Sequence, residues 1–327
     1  PLATQGADLN PADIDVIAST DFADGGVDRI TTGAGSDIVI GGAAGDILTV
    51  GDGHNIVIGD SGIITAANSD SARFATIPIS LGRIETTAFG VGGADGITSG
   101  AGNDLILGGH DNDTIGAGNG DNVVGGDDAA IEFTRQDRDG VTPGADTDPA
   151  DIDLITSLST IQFGGIDTIT TGSGNDIVIG GRFGDTITAG SGKNIVVGDS
   201  GDITAANADS NRFGAQTITV GQIRTTETTD GGADTITTGI GYDLIFGGMA
   251  NDTIVANSGE TTSTPDAGNV VLGDNGYIDF VRAERQATEL GGDVNPADID
   301  VIASTAFSDG GVDHITTGLG LDIVIGG

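Results

Sequence analysis

The stretch Thr170–Gly190, TTGSGNDIVIGGRFGDTITAG, carries the pattern from which the fold follows. Asp176 and Asp185 stand nine residues apart, a short apolar run follows each, and glycines fill the space between them. A nine-residue period fits neither the 3.6-residue repeat of a helix nor the simple alternation of a long strand. It fits a three-residue strand followed by a six-residue turn whose positive-φ positions are supplied by glycine. Two such units make one flattened coil. Stacked coils predict an all-β architecture, a right-handed parallel β-roll or β-solenoid.

The same period runs through most of the chain. Asp28, Asp37, Asp46 and Asn55 form one series, and Asp95, Asp104, Asp113 and Asn122 a second. Asp167, Asp176, Asp185 and Asn194 form a third. A fourth has Asp234, Asp243 and Asp252, then a longer loop before Asn269, and a fifth begins with Asp313 and Asp322. Complete blocks close on Gly-Asp, at Asp60, Asp127, Asp199 and Asp274. Aperiodic segments of two alternating kinds lie between blocks. One kind contains NPADIDVIAST (Asn10–Thr20 and Asn295–Thr305) or DPADIDLITSL (Asp148–Leu158). The other contains DSARF (Asp70–Phe74) or DSNRF (Asp209–Phe213). The expected organisation is therefore tandem β-roll blocks at 22–62, 91–129, 163–202, 230–277 and 309–327. Inserted arms lie at 1–21, 63–90, 130–162, 203–229 and 278–308. The near-identity of Asn10–Gly42 with Asn295–Gly327 suggests a slice of a longer modular protein.

Composition narrows the function. The 327 residues include 59 glycines, no cysteine or tryptophan, and a net charge of −38. Such a charge disfavours nucleic acid and anionic membranes as partners and favours metal cations. The absence of cysteine excludes disulfides, thiolate metal sites and thiol catalysis. No apolar run approaches the ~20 residues of a membrane helix, so no membrane insertion is expected.

The nonapeptides Gly41–Thr49 (GGAAGDILT) and Thr171–Ile179 (TGSGNDIVI) resemble the G-G-x-G-x-D-x-U-x motif of RTX (repeats-in-toxin) calcium-binding proteins. In that family calcium sits between a turn and the equivalent turn one coil later. The resemblance therefore implies several Ca²⁺ ions per chain. Its implied ligands are the periodic Asp and Asn residues named above, with the closing Asp60, Asp127, Asp199 and Asp274. It pairs Asp28 with Asp46, Asp37 with Asn55, Asp95 with Asp113, Asp167 with Asp185, and Asp234 with Asp252. The chain departs from the motif in the Asn at each fourth turn, where less charge implies weak binding or none, and in Thr or Val at some first-glycine positions. Two inward aliphatics per coil bury too little to offset the ordering of the coil and the repulsion of stacked acids, so metal binding is expected to supply folding energy.

The two faces of the roll differ. Asp-Ile-Val-Ile (Asp37–Ile40) and Asp-Leu-Ile-Phe (Asp243–Phe246) put apolar residues outside one sheet, whereas Asp-Thr-Ile-Thr (Asp167–Thr170) puts threonines outside the other. A bare apolar sheet would be adhesive, so the arms are expected to fold over it. Within the arms, Thr76–Leu81 and Thr217–Val220 alternate like strands. The histidines His54, His110 and His314 do not cluster, and the recurring Asp13/Asp15, Asp151/Asp153 and Asp298/Asp300 pairs read as architecture. No nucleophile with a matching base appears, so no enzyme and no catalytic residue is expected. The expected role is a calcium-dependent extracellular rod, fibre or surface layer supporting adhesion or matrix assembly, its partners being other copies of itself or a cell surface. The resemblance implies type I secretion. The alternatives are the repeat tail of a secreted protease or lipase, and an ice-binding solenoid using the threonine face.

Overall fold

The computed structural model describes residues 9–22, 24–139, 143–158, 161–286, 288 and 291–327; the start of the 1–21 arm lies outside them. Three nine-stranded sheets are stacked as layers. The first, the threonine sheet, runs from Arg29–Thr31 and Ile47–Thr49 through Gly96–Thr98 to His314–Thr316, all parallel. The second, the middle sheet, runs from Ile38–Ile40 and Ile56–Ile58 through Leu105–Leu107 to Ile323–Ile325, also parallel. The chain alternates between the two every nine residues, which is the coil of a solenoid.

One side chain per strand points into the coil. Val39, Leu48, Val57, Ile97, Ile106, Ile115, Val124, Ile169, Val178 and Ile187 are buried there, in a core only two side chains thick. Three-residue strands suffice because each strand contributes only this one residue inward.

The blocks are not separate rolls. Ile47–Thr49 of the first block pairs directly with Gly96–Thr98 of the second, and Thr114–Gly116 pairs with Thr168–Thr170 of the third. The arms leave this continuous stack and return to it in register. From 63–90 onward each arm forms an antiparallel hairpin, such as Gly62–Ala66 with Leu81–Thr86 and Ala129–Glu132 with Leu154–Ser157, and Val16–Ala18 of the first arm pairs with Gly62–Ala66. The hairpins join into the third layer, an antiparallel cover sheet. It buries the outer face of the middle sheet, where Ile56, Ile58, Leu107, Ile177, Ile179 and Phe246 form a second core. A row of isoleucines crosses all nine strands of the cover sheet in register: Ile17, Ile64, Ile84, Ile131, Ile155, Ile203, Ile223, Ile278 and Ile302. The arms thus cover the apolar sheet within the chain.

The strands in the arms lie elsewhere than the alternation suggested. Thr76–Leu81 and Thr217–Val220 lie mostly outside strands, which begin at Leu81 and Val220. Pro78 has no N–H for a ladder, and Phe74 and Phe213 receive tight-turn hydrogen bonds from Ile77 and Gln216. Ile79 and Ile218 are fully buried by these turns.

Ile131 has no exposed surface and sits mid-row. Ile131→Ala is expected to cost about 2–5 kcal/mol, read as a lowered urea midpoint in saturating calcium.

Candidate metal centre

The turns place the periodic acids on two edges of the solenoid. The edge leading into the threonine sheet is all aspartate: Asp28, Asp46, Asp95, Asp113, Asp167, Asp185, Asp234, Asp252 and Asp313. The edge leading into the middle sheet alternates: Asp37, Asn55, Asp104, Asn122, Asp176, Asn194, Asp243, Asn269 and Asp322. On both edges each residue's backbone N–H donates to the Oδ1 of its counterpart one coil on. The all-aspartate chain of bonds runs unbroken from Asp28 to Asp313. The alternating chain runs unbroken from Asp37 to Asp322. The five pairs expected from the motif are all brought together. So are Asp46 with Asp95, Asp113 with Asp167, Asp185 with Asp234, and Asp252 with Asp313, which the sequence separates by an arm.

The glycine cradles distinguish the edges, for Oδ2 is buried without a donor at Asp37, Asp104 and Asp243 of the alternating edge as well. On the all-aspartate edge, Oδ2 of Asp46, Asp95, Asp113, Asp167, Asp185, Asp234, Asp252 and Asp313 is buried with no hydrogen-bond donor. Each points at a glycine. A Cβ on Gly41, Gly59, Gly108, Gly126, Gly180, Gly198 or Gly247 would come within 3.0 Å of such an Oδ2 and of the carbonyl oxygen of the equivalent glycine one coil later. Gly273 faces Asp313 in the same way, with the Gly326 carbonyl slightly farther off. Carboxylate and carbonyl oxygens therefore converge on spaces that only a missing side chain leaves open. Hard oxygens of these two kinds are what calcium takes as ligands, so the residues fit the ion.

On the alternating edge the chain supplies its own donors. The Asn55 amide donates to the carbonyls of Gly51 and Gly53 and to Asp104. Asn122 donates to Gly120 and Asp176, Asn194 to Gly190, and Asn269 to Ala256 and Asp266. Thr171 Oγ1 donates to Oδ2 of Asp176 at 2.7 Å, whereas Oδ2 of Asp104 and of Asp243 has no donor and burial raises the pKa of both acids.

The block-closing aspartates have a different role. Asp60 accepts the N–H groups of Gly93 and His110, Asp127 those of Gly165 and Arg182, and Asp199 those of Gly232 and Met249. Asp274 accepts from Gly311. Each joins the returning end of an arm to the coil stack. Both oxygens of Asp60, Asp127 and Asp199 accept backbone donors, so these residues serve as clasps between arm and stack.

Burial is the largest cause of the pKa shifts along the edges. It raises Asp95 and Asp252 to about 7, with Asp46 and Asp313 respectively adding carboxylate repulsion. Asp113, Asp185 and Asp234 are raised for the same reasons, and burial brings Asp243 to about 7 and Asp176 to about 6.

The family model described as RTX calcium-binding nonapeptide repeat (4 copies) matches residues 22–57, 89–124, 164–187, 170–202 and 228–262. The nonapeptides of this chain are RTX calcium-binding repeats. They bind Ca²⁺, and their number implies several ions. RTX repeats are structural calcium-binding elements, and the β-roll they form is the solenoid seen here. No curated protein and no solved structure matches the chain. Among the described residues no helix is long and apolar enough to cross a membrane.

Two outcomes follow. Gly126→Ala is expected to remove one bound calcium and lower the thermal midpoint, because its Cβ would enter the Asp167–Gly180 cradle. Gly116→Ala is the control: its Cβ would meet nothing closer than 4.0 Å, so calcium content by equilibrium dialysis should stay at the wild-type value. The second concerns pH. Carboxyls whose folded pKa lies near 7, above an unfolded value of 3.8, keep their protons in the fold and lose them on unfolding. Their contribution is complete below about pH 4 and is lost as pH rises through 7. Without calcium, circular dichroism should therefore show most β structure near pH 4 and least near pH 8, and calcium should restore it at pH 8.

Proposed function

We propose that the chain is a calcium-clamped segment of an extracellular structural rod, with its ions held along the all-aspartate edge. The observation that carries this is the row of buried, donorless Oδ2 atoms, each aimed at a glycine cradle. Asp46, Asp95, Asp113, Asp167, Asp185, Asp234, Asp252 and Asp313 are the proposed carboxylate ligands, with the cradle carbonyls beside them. Asp28 lies at the end of the same row. The alternating edge, from Asp37 to Asp322, is proposed to hold its turns by amide and hydroxyl donors instead.

Bound calcium supplies positive charge that lets carboxylates approach one another one coil apart. The chain's part is to fix the oxygens by the N–H to Oδ1 bonds and to keep side chains out of the cradles. Nine coils at the usual strand spacing give a rod about 40 Å long. Calcium is scarce in cytosol and near millimolar outside cells, which suits folding after export. One continuous stack of coils favours support of adhesion or envelope assembly.

Substitution separates the two edges. Asp113→Asn should lower the calcium content measured by equilibrium dialysis at pH 7.5. Asp104→Asn should leave it unchanged, as Asp104 lies on the alternating edge and accepts the Asn55 amide. Equal losses from both variants would defeat the one-edged reading.

A further inference from the structure

A third acidic group lies away from both edges, between the tips of two arms. Carboxylate oxygens of Asp146 and Asp151, from the 130–162 arm, and of Asp209, from the 203–229 arm, lie within 4.8 Å of one another. Asp151 is 4% exposed, and its Oδ1 is buried with no hydrogen-bond donor. Its Oδ2 is 3.9 Å from Arg212 Nη2, beyond hydrogen-bond reach. Asp146 Oδ1 accepts the N–H of Asp148 at 2.6 Å, and Asp148 Oδ1 accepts that of Ala150 at 3.0 Å, so the loop is folded with its acids turned together. One arginine faces at least three carboxylates there.

The chain contains its own comparison. In the preceding pair of arms, Asn10 stands where Asp148 stands here, Asp13 where Asp151 does, and Asp70 where Asp209 does. There the Asn10 amide donates to Asp70 Oδ2 at 3.3 Å and joins the two arm tips directly. Here the equivalent pair, Asp148 and Asp209, consists of two acids, and no such bond can form between ionised groups. A positive charge with several oxygen-seeking coordination positions answers both the orphaned oxygen and the missing bridge.

We propose that Asp146, Asp151 and Asp209 form a calcium site that ties the tip of the 130–162 arm to that of the 203–229 arm. The ion is a hard divalent cation because every donor is oxygen. The site is separate from the coil edges and stands whether or not the one-edged reading holds.

The test uses the full chain in millimolar calcium. Asp209 is exposed, so Asp209→Asn leaves the core packing in place. Equilibrium dialysis is expected to show one calcium fewer than wild type, with the same circular dichroism spectrum. Hydrogen exchange gives an independent readout: raising calcium should slow amide exchange at 143–152 and 207–212 in wild type, but not in Asp209→Asn. Undiminished calcium content in the folded variant, or calcium-insensitive exchange at both tips in wild type, overturns the proposal.

Discussion

Along one edge of the solenoid, Asp28 through Asp313 are drawn into single file, one carboxylate per coil. A parallel coil stack permits no other placement, since equivalent residues of successive coils must superpose. Repulsion between these groups, together with their burial, is the constraint on the whole structure. The backbone N–H bonds fix one oxygen of each acid and leave the other facing its neighbour's glycine carbonyl. On the opposite edge every second acid is replaced by asparagine, whose amide donates to oxygens of the turns.

Layering follows from the same economy of core. A coil with two inward side chains cannot hide its own outer surface, and the middle sheet presents isoleucine, leucine and phenylalanine on that side. The hairpins that cover it double the number of apolar layers without widening the coil. The clasps at Asp60, Asp127, Asp199 and Asp274 hold each hairpin's return against the stack, so cover and solenoid are joined at every block.

Much of this was legible in the sequence. The nine-residue period fixed the turns, the inward aliphatics and the contrast between an apolar and a threonine face, and the asparagines marked the edge with its own donors. Other features were hidden for physical reasons. Asp46 and Asp95 are 49 residues apart, and nothing local says that their coils are neighbours. The clasps could not be read locally, since only the positions of Gly93 and His110 show which donors the Asp60 oxygens meet. In the arms, alternation at Thr76–Leu81 was overruled by Pro78 and by tight turns that bury Ile79. The strands that follow each closing Gly-Asp, such as Gly62–Ala66, were passed over because they lie where the period stops.

The hydrogen bond between successive edge residues closes across sequence separations of 18, 26, 49, 53, 54 and 61 residues with the same kind of partners. The fold therefore counts rungs, not amino acids. Material added at a corner, as in the 257–266 loop or in a whole hairpin, changes girth and surface chemistry but leaves axial pitch untouched. Such a scaffold can be decorated laterally, by natural drift or by grafting, while its length along the axis stays fixed by the number of carboxylate corners.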